Sequence, residues 1–306
     1  DAYRRIPRVI WMLWFDGWNK APELHTRCVE TWELYNPGWE VRQISREDLP
    51  TLLGDFFPQY GRLRRAMNAL EEFGGFWIPP AAESDLLRLI LLGLYGGVWV
   101  DSTMLCRRPL GEWLPAAAAE GFFAFAPEDL DEKLPVMSSF LASEPGHKIV
   151  SVWLKRTAEH WSTPFSSRPN LGFFWLHKLF GHMVGDPIVG KFDPKSVDAD
   201  VKRRWELVPR VSGEYGVTGP HFWVKYTDKL KPAPTAEHQA VIDGDRDTPM
   251  FKLTNHEVKL RDVGPESCYW VLLRTTQRQA QEYAARSPEV GLAVVKRLLA
   301  TGDVVG

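Results

Sequence analysis

The hydrophobic pattern of the N-terminal region predicts a strand, a helix and a second strand. The run Pro7–Phe15 is apolar and aromatic with turn residues on both sides, which is typical of a buried strand. The segment Pro22–Tyr35 carries apolar residues at helical spacing, and Trp39–Ile44 alternates as a strand does. This order is typical of the opening βαβ unit of a nucleotide-binding α/β sheet.

Later segments continue the mixture of helices and strands. The pattern predicts helices at Arg62–Phe73, His147–Trp161, Phe173–Met183 and Gln277–Leu299, and strands at Phe122–Phe125 and near Met250 and Tyr269. The polar segment Asp228–Asp247, which contains two prolines, predicts a surface connection. We expect one α/β domain over residues 1–306, with a helical extension at about 277–306.

A block from Ala82 to Thr103 combines a helix, a turn and a strand that ends on an acid. Gly96-Gly97 separates the helical part from a short apolar strand, and Asp101 follows that strand directly. Open α/β sheets deliver an acid to a ligand crevice in this way. Asp101 is therefore the first candidate for chemistry, although an isolated Asp after a strand is often only a cap.

The helical part of this block displays a carboxylate beside a guanidinium. Ser84 is a favourable N-cap residue, which would place Asp85 in the first turn and Arg88 three residues later on the same face. The carboxylate suits ribose hydroxyls or a base edge, and the guanidinium suits a phosphate or the neighbouring acid. An ordinary surface ion pair is the alternative.

Composition and charge narrow the function classes. The 306 residues are 44% hydrophobic, enough for a substantial core, and the net charge of −2 gives no basic excess for binding nucleic acid or anionic lipid. No apolar run reaches the roughly 20 residues of a membrane span, so we expect no transmembrane segment. The sequence also lacks an Asn-x-Ser/Thr sequon, which disfavours a secretory route, so we expect a cytoplasmic protein. Because the first residue is Asp1 rather than Met, a removed N-terminal anchor or targeting segment stays open.

The cysteines give no sign of metal or redox chemistry. Cys28, Cys106 and Cys268 are widely spaced and form no Cys-x-x-Cys pair, so we expect reduced thiols. The acidic run Asp243–Asp247 imitates the start of a calcium loop but lacks its Gly and final Glu, and we interpret it as a solvated turn.

Several motifs together resemble a known group of enzymes. The block contains Ser-Asp-x-x-Arg from Ser84, the turn Tyr95-Gly96-Gly97, and Trp99 two residues before Asp101. These features resemble glycosyltransferases that have a sugar-binding DXD motif, above all the capsular polysaccharide synthesis proteins, and more distantly the clostridial glucosylating toxins. Supporting matches lie at Ile6–Trp14, Ala142–His147, Phe173–His177 and Phe251–Thr254.

The resemblance implies a fold and an activity. The fold would be a GT-A-type, Rossmann-like nucleotide-binding sheet flanked by helices. The activity would be transfer of a sugar from a nucleotide diphosphate sugar, a UDP- or GDP-sugar, to a polysaccharide or other glycan acceptor. Similar enzymes use a divalent metal, Mn²⁺ or Mg²⁺, and retain the anomeric configuration.

The resemblance also implies residue roles. Asp101 would be catalytic and would hold the metal with Thr103. The broader pattern has a second acid at this position, and a hydroxyl is the poorer ligand, but the capsular proteins that the sequence resembles also tend to have Asp-x-Thr. His256, or else Asn255, would add a ligand. The expected donor-binding residues are Trp14 on the base, Asp85 on the ribose, Ser84 and Arg88 in support, Trp99 near the donor and Lys252 at the diphosphate. Trp14 and Trp99 could instead serve only packing, and Lys252 could be solvated.

The sequence leaves two alternatives open. Thr103 suggests a sugar-nucleotide-binding protein with impaired turnover. A metal-dependent phosphohydrolase would instead use Asp101 together with the acids around Asp243, which would then have to converge in space.

Overall fold

The computed structural model describes residues 6–68, 80–126, 134–189, 193–211, 234–244, 248–254 and 260–286. Its helices are α1 (Glu23–Tyr35), α2 (Leu49–Leu53), α3 (Phe57–Asn68), α4 (Pro80–Tyr95), α5 (Leu110–Ala117), α6 (Lys148–Ser162), α7 (Trp175–Val184), α8 (Ala199–Leu207), α9 (Ala236–Asp243) and α10 (Cys268–Arg286). Its strands are β1 (Val9–Leu13), β2 (Glu40–Ile44), β3 (Gly97–Val100), β4 (Met104–Cys106), β5 (Phe122–Ala124), β6 (Phe140–Ser143) and β7 (Met250–Lys252).

A five-stranded mixed sheet with the order β2-β1-β3-β6-β5 organises the fold. Strands β1 and β3 are parallel, with Trp11 opposite Trp99, whereas β6 runs antiparallel to both β3 and β5. All four residues of β3 are buried, as expected for a continuous apolar run at the centre of a sheet. The sheet and its flanking helices confirm the predicted α/β class.

The turn between α4 and β3 requires both of its glycines. Gly96 and Gly97 have φ values of 66° and 94°, which L side chains rarely adopt. A Cβ on Gly97 would also lie 2.6 Å from the carbonyl oxygen of Val9 on the neighbouring strand. Indole Nε1 of Trp11 donates to Gly96 O at 2.9 Å, which fixes the turn against β1.

The chain divides into two compact units. Unit 1 comprises Asp1–Lys20, Gln43–Val100 and Leu114–Gly213, and unit 2 comprises Ala21–Arg42, Asp101–Trp113 and Glu214–Gly306. The single domain expected over residues 1–306 stays a prediction.

In unit 1, the apolar helix α4 packs on β3, β6 and α6. Buried aromatic side chains fill this core, among them Phe122, Phe140, Trp153 and Phe180. Trp153 and Phe180 contact each other with ring centroids 4.7 Å apart.

In unit 2, α1 packs on α10 and on β4, and β4 pairs antiparallel with β7. One cluster of buried side chains joins these elements: Leu24, Cys28, Leu105, Val241, Ile242, Phe251, Leu253, Leu260, Cys268, Tyr269, Leu272 and Leu273. Two buried polar side chains of unit 2 are paired: the Trp32 indole donates to Met104 O at 2.8 Å, and Asn36 Oδ1 accepts from the Leu110 N–H at 2.7 Å.

Two predictions about the C-terminal region were wrong. The strand expected near Tyr269 is part of helix α10, because a short apolar run fits either structure and the buried positions continue at helical spacing through Ala284. The connection expected at Asp228–Asp247 contains helix α9, which begins after the capping residue Thr235 and buries Val241 and Ile242. The segment is mostly polar, so its short apolar face did not produce a clear helical pattern.

Two other boundaries also differ from the prediction. Helix α3 begins five residues before the predicted Arg62, and α10 begins at Cys268 rather than at Gln277. Residues 69–73 and 287–299 of the two predicted helices lie outside the described residues.

The three cysteines, Cys28, Cys106 and Cys268, are free thiols and all are buried in unit 2. Burial raises the pKa of Cys106 to about 12, and it raises the pKa of Cys28 as well. Among the described helices, none has both the length and the apolar character to cross a bilayer.

Candidate functional site

The segment that follows β3 forms a closed turn in unit 2. Asp101 O accepts a hydrogen bond from the Met104 N–H at 2.8 Å, and β4 begins at Met104. The Thr103 side chain is buried, whereas the side chain of Asp101 keeps 25% of its surface exposed. The turn therefore presents one partly exposed carboxylate beside a buried hydroxyl.

Lys252 is the cation of this turn. It ends β7 opposite Met104, and the next residue, Leu253, donates its N–H to Thr103 O at 2.9 Å. Lys252 Nζ donates to Thr103 Oγ1 at 2.5 Å and lies 3.3 Å from Asp101 Oδ2. The strand pair thus brings together three of the predicted site residues, Asp101, Thr103 and Lys252.

His25 on α1 supports the same turn and was not predicted. Its Nδ1 lies 2.9 Å from Ser102 Oγ, and the residue is 5% exposed. Burial, reinforced by the charge of Lys252, lowers the pKa of His25 to about 4. The ring is therefore neutral near pH 7 and adds no positive charge beside Asp101.

The described ligand candidates do not fit a dedicated divalent metal site. Asp101 supplies the one carboxylate and Thr103 a hydroxyl, and both contact the ammonium of Lys252. In the part of the chain that the structure describes, no group of three or more His, Cys, Asp or Glu residues could hold a metal ion. The other predicted ligands, Asn255 and His256, lie outside the described residues.

In unit 1, helix α4 brings Asp85 and Arg88 into a buried ion pair. Arg88 Nη2 lies 2.9 Å from Asp85 Oδ1, and the side chains are 4% and 13% exposed, respectively. A buried pair of this kind is costly to break, unlike the surface pair considered as an alternative. Since Asp85 retains more exposure than Arg88, the carboxylate is the member that a ligand can reach.

Arg88 has further acceptors that fix its position. Its Nη1 donates to Ser138 O at 2.6 Å and to Ser138 Oγ at 2.5 Å, and its Nη2 donates to Ser84 Oγ at 3.1 Å. Ser138 precedes β6 and was not predicted. These bonds make Arg88 a structural residue that orients Asp85.

The predicted N-cap role of Ser84 was wrong. Helix α4 begins at Pro80, so Ser84 lies inside the helix, and its Oγ donates to Ala81 O at 2.7 Å. Proline is favoured in the first turn of a helix, so the helix can begin before the Ser84 cap signal. Ser84 keeps its place beside Arg88, but as a hydrogen-bond acceptor.

The two candidate tryptophans differ in exposure. Trp99 on β3 is 1% exposed and lies under Arg88, with the guanidinium carbon 5.2 Å from the ring centroid. Trp14, one residue beyond β1, is partly buried, and its backbone N–H donates to Ile44 O at 3.0 Å. Packing explains Trp99 without a ligand, and the donor contacts of both residues stay predictions.

A second polar network in unit 1 surrounds Glu83, one turn from the start of α4. Arg46 donates to both carboxylate oxygens at 2.7 and 2.9 Å, Arg64 lies at 2.9 Å, and Tyr60 donates its hydroxyl. Burial raises the pKa of Glu83, but the hydrogen bonds from Arg46 and Tyr60 outweigh it, so the pKa lies below its ordinary value. Glu83 therefore anchors α4.

The acids required by the phosphohydrolase alternative gain no support. Asp243 ends α9 and its Oδ1 accepts from Gln239 at 2.8 Å, within one turn of its own helix. Residues 245–247 lie outside the described residues.

The chain is similar to capsular polysaccharide synthesis proteins and to glycosyltransferases. The family model for capsular polysaccharide synthesis proteins matches residues 3–216. An uncharacterised glycosyltransferase of Acanthamoeba polyphaga mimivirus is 26% identical over 149 residues, which cover 47% of this chain and 52% of that protein. The O-glycosyltransferase braB of Annulohypoxylon truncatum is 23% identical over 182 residues, 57% of this chain and 41% of that protein.

The chain therefore spans about half of the length of these curated relatives, or less. Among solved structures, the PaToxG glycosyltransferase matches with a TM-score of 0.39 and 13% identity, over 66% of this chain and 86% of that one.

Proposed function

Since the chain belongs to the family of capsular polysaccharide synthesis proteins, we propose that it is a glycosyltransferase that moves a sugar from a nucleotide diphosphate sugar to a carbohydrate acceptor. The donor is a UDP- or GDP-sugar and the acceptor is a polysaccharide or another glycan. Two of its relatives carry glycosyltransferase names, which supports the reaction class.

The observation that carries this proposal is the turn at Asp101. A partly exposed carboxylate directly follows a fully buried strand, and an ammonium lies 3.3 Å from it. A turn with both charges can bind a substrate that has hydroxyl donors and a diphosphate. We assign Asp101 to the reacting end of the donor and Lys252 to the diphosphate.

For unit 1 we propose that Asp85 binds the ribose hydroxyls, with Arg88 and Ser84 orienting the carboxylate. The buried ion pair and the serine hydroxyl hold Asp85 in one position, which favours binding of a substrate to a preorganised group. Trp14 is assigned to the nucleotide base by resemblance. Trp99 contacts the Arg88 guanidinium with the face of its ring.

The predicted use of Mn²⁺ or Mg²⁺ rests on the resemblance alone. Asp101 and Thr103 would hold such an ion together with Asn255 or His256, and it would offset charge on the diphosphate. The described residues do not fit that site. Retention of the anomeric configuration is likewise proposed from resemblance.

A thermal-shift screen tests the proposal. UDP, GDP and their sugars are added to the protein in EDTA and in Mn²⁺, and the melting temperature is measured. At a ligand concentration one hundred times Kd, binding adds about 2.7 kcal/mol of stability. The increase in melting temperature should shrink in Asp85→Ala. It should persist in Asp243→Ala, because the Asp243 carboxylate accepts from Gln239 of its own helix, α9. No shift with any of these nucleotides would contradict the proposal.

A binding protein with impaired turnover is the second candidate. Thr103 favours it, since its hydroxyl accepts from Lys252 where a second acid would serve a metal. Binding of donor without transfer or hydrolysis would select this candidate.

A further inference from the structure

Lys252 is the cation beside Asp101, and its role at the donor diphosphate rests on the proposed function. Lys252 is held by backbone as well as by its side chain, because β7 pairs with β4 and the Leu253 N–H bonds to Thr103 O. Its side chain is 21% exposed. The ammonium is therefore a fixed part of the turn.

The ammonium contacts the same two oxygens that a metal would need. It lies 2.5 Å from Thr103 Oγ1 and 3.3 Å from Asp101 Oδ2. Mg²⁺ or Mn²⁺ bound to both oxygens at roughly 2.1 Å would lie against the ammonium, and the like charges would repel each other. A divalent ion must therefore displace Lys252 or bind elsewhere.

The local charge balance also disfavours a divalent ion. Two carboxylates would give this turn a charge of −2, whereas Asp101 and Lys252 together give about zero. His25, whose Nδ1 lies 2.9 Å from Ser102 Oγ, adds no negative charge, because an imidazole is either neutral or cationic. Among the residues that the structure describes, the turn thus resembles an ion pair without the excess negative charge of a metal site.

We propose that the Lys252 ammonium takes the electrostatic role of the divalent ion, so that this protein binds the donor diphosphate without a metal. During transfer the bond between the anomeric carbon and the phosphate oxygen breaks, and its electron pair stays on that oxygen. The acceptor oxygen bonds to the carbon, and its proton passes to the departing diphosphate. Lys252 stabilises the charge on that leaving group, and Thr103 is the positioning residue that orients the ammonium.

The first test compares nucleotide binding in wild type and in Lys252→Met. Titration calorimetry measures Kd for UDP and for GDP in EDTA and in Mn²⁺. Wild type should give the same Kd within twofold in both conditions, whereas Lys252→Met should bind at least tenfold more weakly in EDTA. Lys155→Met is the matched control, because Lys155 is 72% exposed on α6 and should bind as wild type does.

Lys252→Arg serves as the conservative variant if the methionine variant does not fold. It keeps the charge and should stay within about fivefold of wild type in EDTA. A tenfold loss of affinity by wild type on metal removal, restored by Mn²⁺, would overturn the proposal. So would unchanged affinity in a folded Lys252→Met protein.

A second measurement separates this inference from the proposed function. Mn²⁺ binding to the nucleotide-free protein is followed by electron paramagnetic resonance. Lys252→Met should bind Mn²⁺ at least tenfold more tightly than wild type, because the competing ammonium is gone, and equal or tighter binding by wild type overturns the inference. If wild type binds neither UDP nor GDP, the proposed function fails, and the Mn²⁺ comparison still decides the role of Lys252.

Discussion

The ammonium of Lys252 lies 3.3 Å from the carboxylate oxygen Oδ2 of Asp101, and both side chains are about one-quarter exposed. At this exposure the pair is open to water, so its value to stability is small. The pair matters instead for binding, because a charged substrate that reaches Asp101 contacts a positive and a negative group side by side.

Replacing Asp101 by Asn should abolish transfer while leaving the fold intact. The amide keeps the shape of the side chain but removes its charge, and loss of a group that stabilises a transition state typically costs about a hundredfold or more in kcat. Turnover and melting temperature are measured on the same sample. Asp262→Asn, at a carboxylate that is 55% exposed, is the control. Wild-type turnover in Asp101→Asn would remove Asp101 from the chemistry.

Asp85→Ala should chiefly weaken donor binding. Ribose contacts are present in both ground and transition states, so the donor KM should rise more than kcat falls. Steady-state kinetics with varied donor concentration measures both constants. A change confined to kcat would mean that Asp85 serves the reaction itself rather than the ribose.

Arg88→Lys should destabilise the protein even though the charge is kept. The guanidinium bonds to Ser138 and Ser84 while pairing with Asp85, and an ammonium cannot reach all three at once. We expect a loss of about 1–3 kcal/mol in the free energy of unfolding, measured in urea. Arg278→Lys, at an exposed pair on α10, should change it by less than about 0.5 kcal/mol. Equal effects at both positions would contradict a structural role for Arg88.

The protein should lose stability as the pH falls from about 6.5 to about 4. His25 has a lowered pKa of about 4 in the folded protein, so in this window the unfolded chain binds more protons and stability rises with pH. The contribution of His25 approaches about 3 kcal/mol across the full window. His160, whose pKa burial also lowers to about 4, adds to the same slope.

Urea unfolding at pH 7, 5.5 and 4.5 measures this dependence. His25→Gln should flatten the slope while keeping a partner for Ser102, and His160→Gln should remove a separate share of it. An unchanged slope in His25→Gln would show that folding does not lower the pKa of the ring.

Local signals predicted the strand that leads to Asp101. The apolar run of β3 is buried on both faces, and Gly96-Gly97 marks a turn that requires positive φ, so both features can be read from neighbouring residues. The Asp85–Arg88 pair follows equally from helical spacing. Such features need no knowledge of the rest of the chain.

The partners of these residues could not be predicted in the same way. Lys252 and Thr103 are 149 positions apart, and His25 and Ser102 are 77 positions apart, so their contacts depend on strand and helix pairing that a single sequence does not encode locally. Ser138 likewise reaches Arg88 only through the pairing of β6 with β3. Lys252 could be assigned to the diphosphate, but not to the oxygens of Asp101 and Thr103.

The positions of the thiols make their rate of alkylation a measure of local unfolding in unit 2. All three of its cysteines are buried in unit 2, and unit 1 has none in its sequence. A thiol can react with an alkylating reagent only when its surroundings open, so the modification rate of the native protein follows local unfolding. Alkylation followed by mass spectrometry therefore measures the rate at which unit 2 opens around its cysteines, and no label has to be introduced. Motions confined to unit 1 do not change this rate.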